Sequence, residues 1–178
     1  FWADKQSPES FPVYALKDQY EQSMSPGMAK WAFERSRHVT VFPNLLINEL
    51  ASTYVRTYRP LGIDKTEISS WCVAPVGEAP EARAARLRKF EDFFMPSGMS
   101  TPDDIAIFEI TQEGNQAKSG HWSDMTRGAS VATPGPDDRA RELGIDPDFS
   151  SNNFQHEIML QGIYRQWSRM MFGDGTTP

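Results

Sequence analysis

The sequence predicts an α+β chain in which an antiparallel β-sheet grips a long C-terminal helix, with a helix pair beside the sheet. Three observations carry that expectation. Strand-like runs follow one another within 38–75 with only short turns between them, which implies an antiparallel meander. Two helical patterns come next, separated by MPSGM (95–99). Near the end, NNFQHEIMLQGIYRQWSRMM (152–171) repeats apolar residues at helical spacing.

Taken in order, residues 1–24 read as an irregular lead-in, with Pro8 and Pro12 standing among polar residues. Ser25-Pro26 makes a helix start, serine as N-cap and proline in the first turn, and places Met28, Trp31 and Phe33 near one face. HVTVFPNLLINEL (38–50) is rich in β-branched and aliphatic residues and reads as one strand, with Pro43 at a bulge or edge. In STYVRTYRP (52–60), Tyr54, Arg56 and Tyr58 alternate with Val55 and Thr57. A turn holding Gly62 and Asp64 leads to EISSWCVAP (67–75).

The first helix of the pair covers roughly 80–95, with Ala84, Leu87, Phe90 and Phe94 as its buried stripe. Pro96 and Gly98 break it. The second starts with Thr101 as N-cap, Pro102 at the first helical position, and Asp103 and Asp104 complementing the dipole. Its Ile105 and Phe108 are expected to face inward, and Gly114 to end it. The last helix presents Phe154, Ile158, Gln161, Tyr164, Trp167 and Met171 on its inner side. The core therefore spans 25–171, with 172–178 as a tail.

A chain of 178 residues suits one domain. With 39% hydrophobic residues it has the means to build a core, yet no apolar run is long enough for a membrane span. A net charge of −6 argues against nucleic-acid binding. The basic run 82–90 is interspersed with Glu81, Glu91 and Asp92 and reads as a solvated helix face. The start, FWADKQSPES, shows no secretory pattern and no initiator Met, so the chain reads as a piece of a longer one. The single cysteine, Cys72, excludes a disulfide framework or a cysteine-based metal site within the segment. It reads as a small buried hydrophobe with no cation nearby, in a reducing compartment, most simply the cytoplasm.

No GxSxG elbow and no glycine-rich phosphate loop is present. The histidines, His38, His121 and His156, lack the close pairing of a metal-binding helix. SGHWSDMTRG (119–128) stands out, because Asp124 follows His121 and Trp122. On local evidence Asp124 reads as a structural loop acid. The alternative is metal binding: a non-haem Fe(II) site uses two imidazoles and one carboxylate, of which the segment supplies only the acid.

FPNLLINE, RPLGIDKTEI, CVAPVGEAPEARAARLRKFEDFF, GMSTPDD and HWSDMTRG, in this order, resemble the catalytic domain of Rieske non-haem iron ring-hydroxylating dioxygenase α subunits, in the benzoate, toluate and anthranilate group. The likeness runs from about Pro26 to Met171. It implies a helix-grip, START-like fold and the C-terminal part of a catalytic domain, with the Rieske domain outside this chain. It also implies a mononuclear Fe(II) that uses O₂ to cis-dihydroxylate an arene. Electrons would come from NADH through a reductase or ferredoxin and a Rieske [2Fe–2S] centre, within an α trimer that in many members pairs with a β subunit. By this match Asp124 is the iron carboxylate, and the two iron histidines lie upstream of this chain. Trp122 stands at or just behind the pocket, with His121 and Asn48 as further pocket candidates.

An aromatic carboxylate substrate would want an arginine or amide, for which Arg56, Arg165 and Asn48 are available, although surface charge explains the arginines equally well. MPSGM shapes a pocket entrance or serves as a helix–helix hinge. Two other functions remain open: a helix-grip module that binds an apolar ligand without catalysis, and a Rieske monooxygenase or demethylase.

Overall fold

The computed structural model describes residues 2–4, 7, 12–49, 52–117, 119 and 122–173. Its class is the expected α+β. The sheet consists of β1 (Trp2–Asp4), β2 (Arg35–Val41), β3 (Leu45–Asn48), β4 (Tyr54–Pro60) and β5 (Thr66–Cys72), in that spatial order. All neighbouring strands are antiparallel, and from β2 to β5 this is what short connections require.

Two stretches differ from expectation. The run 38–50 is a hairpin, not one strand: β2 and β3 are joined by a turn at 42–44 that contains a cis Phe42–Pro43 peptide. Proline supplies no N–H to a ladder, so the chain reverses there. The lead-in is also partly ordered. Its β1 pairs with β2, and a 3-10 turn (Pro12–Leu16) runs into α1 (Lys17–Glu21).

Helix α2 (Pro26–Glu34) begins as expected, the Ser25 hydroxyl accepting from Met28 N at 3.3 Å. It buries Ala29, Trp31 and Phe33, while Met28 is exposed. Helix α3 (Pro80–Phe94) packs Phe90 and Phe94 against Leu46 and Tyr54 of the sheet. The Tyr54 and Phe94 rings lie 4.4 Å apart. Each such side chain contributes about 1.5–3 kcal/mol by leaving water. The buried stripe is Arg86, Phe90 and Phe94, four residues apart; Ala84 is exposed and Leu87 half-buried.

Helix α4 (Thr101–Asn115) takes Ser100, not Thr101, as N-cap residue. Thr101 instead donates its hydroxyl to Phe94 O at 2.7 Å, and Ser100 N bonds Phe93 O at 3.0 Å. MPSGM is thus folded back on the end of α3. No residue of α4 is buried; Ile105 and Phe108, expected inward, are exposed. After β6 (Thr133–Pro134), α5 (Asp138–Leu143) and β7 (Phe149–Ser150), a 3-10 turn (Glu157–Leu160) leads into α6 (Gln161–Phe172). The C-terminal helix therefore starts later than the apolar pattern suggested, and Phe154, Trp167 and Met171 are exposed. No helix among the described residues is long and apolar enough to cross a membrane.

Candidate functional site

Register puts two rows of side chains on one sheet face. His38, Asn48, Tyr54 and Cys72 lie directly across from one another, and so do Thr40, Leu46, Arg56 and Ser70. Helix α3 covers part of this face through Phe90 and Phe94. Asn48 is buried, and its Nδ2 lies 2.8 Å from His38 Nδ1. An amide nitrogen donates, so the pair suits a neutral imidazole with its proton on Nε2. Burial chiefly, with a smaller push from the positive charge of Arg56, holds the His38 imidazole below its ordinary range.

His38 and Thr40 also line a cleft of about 820 Å³ between β2 and the C-terminal segment. Its far wall is apolar, built by Phe154, Met159, Leu160 and Ile163, with Gly162 leaving room beside them. The volume is of the size that takes a small aromatic molecule.

Asp124 lies elsewhere, on an exposed turn. Its Oδ1 accepts from Thr126 N at 2.9 Å and from the Thr126 hydroxyl at 2.6 Å. These bonds hold the carboxyl below the usual carboxylate range, and Oδ2 has no partner among the described residues. The turn is docked on the C-terminal segment, at residues that do not themselves line the cleft. Gln161 Nε2 donates to Met125 O at 3.3 Å, Glu157 N to Arg127 O at 2.9 Å, and Arg127 pairs with Glu157 at 2.6 Å. Gly128 closes the turn at φ +83°, against the His156 ring.

A group of three or more His, Cys, Asp or Glu side chains placed to hold a metal does not occur among the described residues. Trp122 is fully exposed and does not meet Asn48, and His121 lies outside the described residues. His156 is engaged by the Ser151 hydroxyl at 2.6 Å. Arg165, on the surface, pairs with Asp148 at 2.8 Å.

The chain matches the family model of the ring hydroxylating alpha subunit (catalytic domain) over residues 4–173. It belongs to that family. The catalytic domain is 36% identical over 170 residues to the 2-halobenzoate 1,2-dioxygenase large subunit of Burkholderia cepacia, which covers 96% of this chain and 37% of that protein. Toluate 1,2-dioxygenase subunit alpha of Pseudomonas putida matches at 36% over the same shares. The anthranilate 1,2-dioxygenase large subunit of Acinetobacter baylyi (strain ATCC 33305 / BD413 / ADP1) matches at 39% over 143 residues, 80% of this chain and 30% of that one. The chain thus spans little more than a third of the length of the first two relatives. The fold is shared with the crystal structure of naphthalene 1,2-dioxygenase from Rhodococcus sp. bound to indole, at TM-score 0.71 and 21% identity, over 89% of this chain and 38% of that one.

Two features of this catalytic domain escaped the sequence pattern. Cys72 has a cation beside it after all: Arg86 Nη1 lies 2.7 Å from its Sγ. Arg86 reaches it because it stands one and two turns before Phe90 and Phe94 on the inward stripe, which was the available signal. Asp104, in the first turn of α4, reads from the sequence only as a complement to the helix dipole. Its charge nevertheless acts on Tyr54, whose hydroxyl is pushed up mainly by burial and further by Tyr58 and Asp104.

Proposed function

We propose that this domain serves an oxygenase that cis-dihydroxylates an aromatic ring carrying a carboxylate. The similarity to the 2-halobenzoate, toluate and anthranilate enzymes carries the reading, since each named substrate is a ring carboxylate. A mononuclear Fe(II), held by two imidazoles and one carboxylate, would supply the O₂ chemistry. Electrons would come from NADH through a reductase and a Rieske [2Fe–2S] centre, in a cytoplasmic α trimer with or without a β subunit.

What this chain's own residues do is more specific. The apolar far wall of the cleft excludes water from a bound ring, and His38 and Thr40 on the β2 side are the polar groups that can orient it. Asp124 is the proposed iron carboxylate: Thr126 fixes Oδ1 and leaves Oδ2 to present. Both histidine ligands would come from outside this chain. A specific observation favours a second acid in this role. Asp104, exposed like Asp124, stands near enough to the buried sheet residue Tyr54 for its charge to add to the rise of that hydroxyl.

Asparagine substitutions separate the two. In the full-length oxygenase, Asp124→Asn is expected to weaken mononuclear iron binding by about tenfold or more, with Rieske absorbance intact. Asp104→Asn is expected to keep its iron. Metal analysis giving the reverse pattern moves the ligand to Asp104.

A further inference from the structure

Three arginines are buried among the described residues: Arg35, Arg56 and Arg86. Two are matched to carboxylates of this chain, Arg35 to Glu142 at 3.2 Å and Arg86 to Glu78 at 2.8 Å. Arg56, only 6% exposed, has no acid partner among the described residues. Its Nε donates to Ser70 Oγ at 3.0 Å, and its guanidinium carbon lies 5.1 Å from the centre of the Tyr54 ring. The Ser70 bond and the ring fix the plane of the fork. Nη1 and Nη2 then have no hydrogen bond among the described residues, yet neither is sealed in the interior. Tyr54, 3% exposed, likewise has no hydrogen bond on its hydroxyl among the described residues.

A buried, unpaired cation is costly, so such a group persists where something else supplies the anion. Arg56 shares its sheet face with His38 and Thr40, which line the cleft. Its charge is felt at His38. An oriented guanidinium whose terminal Nη1/Nη2 edge is open is the donor set that matches a planar carboxylate in bidentate fashion.

We propose that Arg56 is the residue that receives the substrate's ring carboxylate, with the Tyr54 hydroxyl beside it, and so sets the specificity for aromatic acids over neutral arenes. The proposal rests on the oxygenase reading above and adds the residue responsible.

The test uses the full-length oxygenase with its electron-transfer partners, comparing benzoate with toluene, in which a methyl group replaces the carboxylate. Arg56→Gln is expected to lower kcat/KM for benzoate by roughly 10–100-fold, mainly through KM, the size of a lost charge-assisted hydrogen-bond pair. Toluene turnover should change by less than about threefold, as expected of a substrate that makes no such bond. Arg56→Lys keeps the charge without the fork and should fall between.

Equal losses on both substrates would mean a packing role and overturn the proposal, as would no loss on benzoate or a wild type that oxidises only toluene. Thermal unfolding with benzoate gives a readout independent of turnover. Benzoate should raise the midpoint of the wild type and not that of Arg56→Gln. A wild type that oxidises no arene but shows this difference defeats the oxygenase reading and leaves Arg56 as a carboxylate site. Equal shifts, or none in either protein, overturn the proposal.

Discussion

Replacing Arg86 with methionine is expected to destabilise the domain by about 3–5 kcal/mol, because it strands a buried carboxylate. Arg86 and Glu78 are 6% and 3% exposed at their side chains, and two parallel bonds of 2.8 Å join them. A third guanidinium nitrogen donates to Cys72 Sγ at 2.7 Å. The pair thereby fastens the start of α3 and its preceding loop to the end of β5. The Arg86 bond holds the Glu78 carboxyl below its usual range, so in the native protein it is ionised at neutral pH. Removing the cation leaves that charge with no counterpart. Replacing both residues, Arg86→Met with Glu78→Leu, should recover most of the loss, since an apolar pair of similar volume avoids the desolvation penalty. Urea unfolding of the single and double variants checks this. A single variant within about 1 kcal/mol of wild type would show that water reaches the pair.

Gly128→Ala should cost more than an ordinary glycine substitution and should act on one loop. The position has φ +83°, which costs an L-residue about 1–2 kcal/mol. The added methyl would also overlap His156 Cγ and come within 2.6 Å of its Cβ and Cδ2. Overpacking of this kind adds about 1–3 kcal/mol. Gly77 isolates the first effect, because its φ is +84° and nothing lies within 4 Å of a Cβ built there. Gly77→Ala should therefore lose only the conformational part. The extra cost at Gly128 is expected to appear as release of the turn from Glu157 and Gln161, read as faster proteolysis within 122–131. Equal stability and equal protection in the two variants would show that the turn does not rest on His156.

Much of the fold was legible because its signals are local. Ser25-Pro26 caps α2, Pro80 starts α3, and the alternation in 54–60 put Tyr54, Arg56 and Tyr58 on the covered face. The hairpin at Pro43 was misread because the hydrophobic run continues through the turn, and only the pairing of Val41 with Leu45 reveals the reversal. Helix α4 misled differently: Ile105 and Phe108 have helical spacing, but periodicity cannot name the surface that covers them.

The site was legible in part. Asn48 and Arg56 come together through strand register, whereas Trp122 sits on a loop whose position depends on distant residues such as Glu157 and Gln161. No spacing in the chain announces that, among the described residues, Arg56 lacks an acid and Arg86 has one. Such facts belong to tertiary contacts alone.

The most direct measurement supplies the full-length oxygenase, its reductase and NADH with benzoate and ¹⁸O₂, and weighs the product. A cis-dihydrodiol carrying two ¹⁸O atoms is the expected result. A product carrying one labelled oxygen, or benzoate recovered unchanged from an enzyme with its iron in place, would contradict the account.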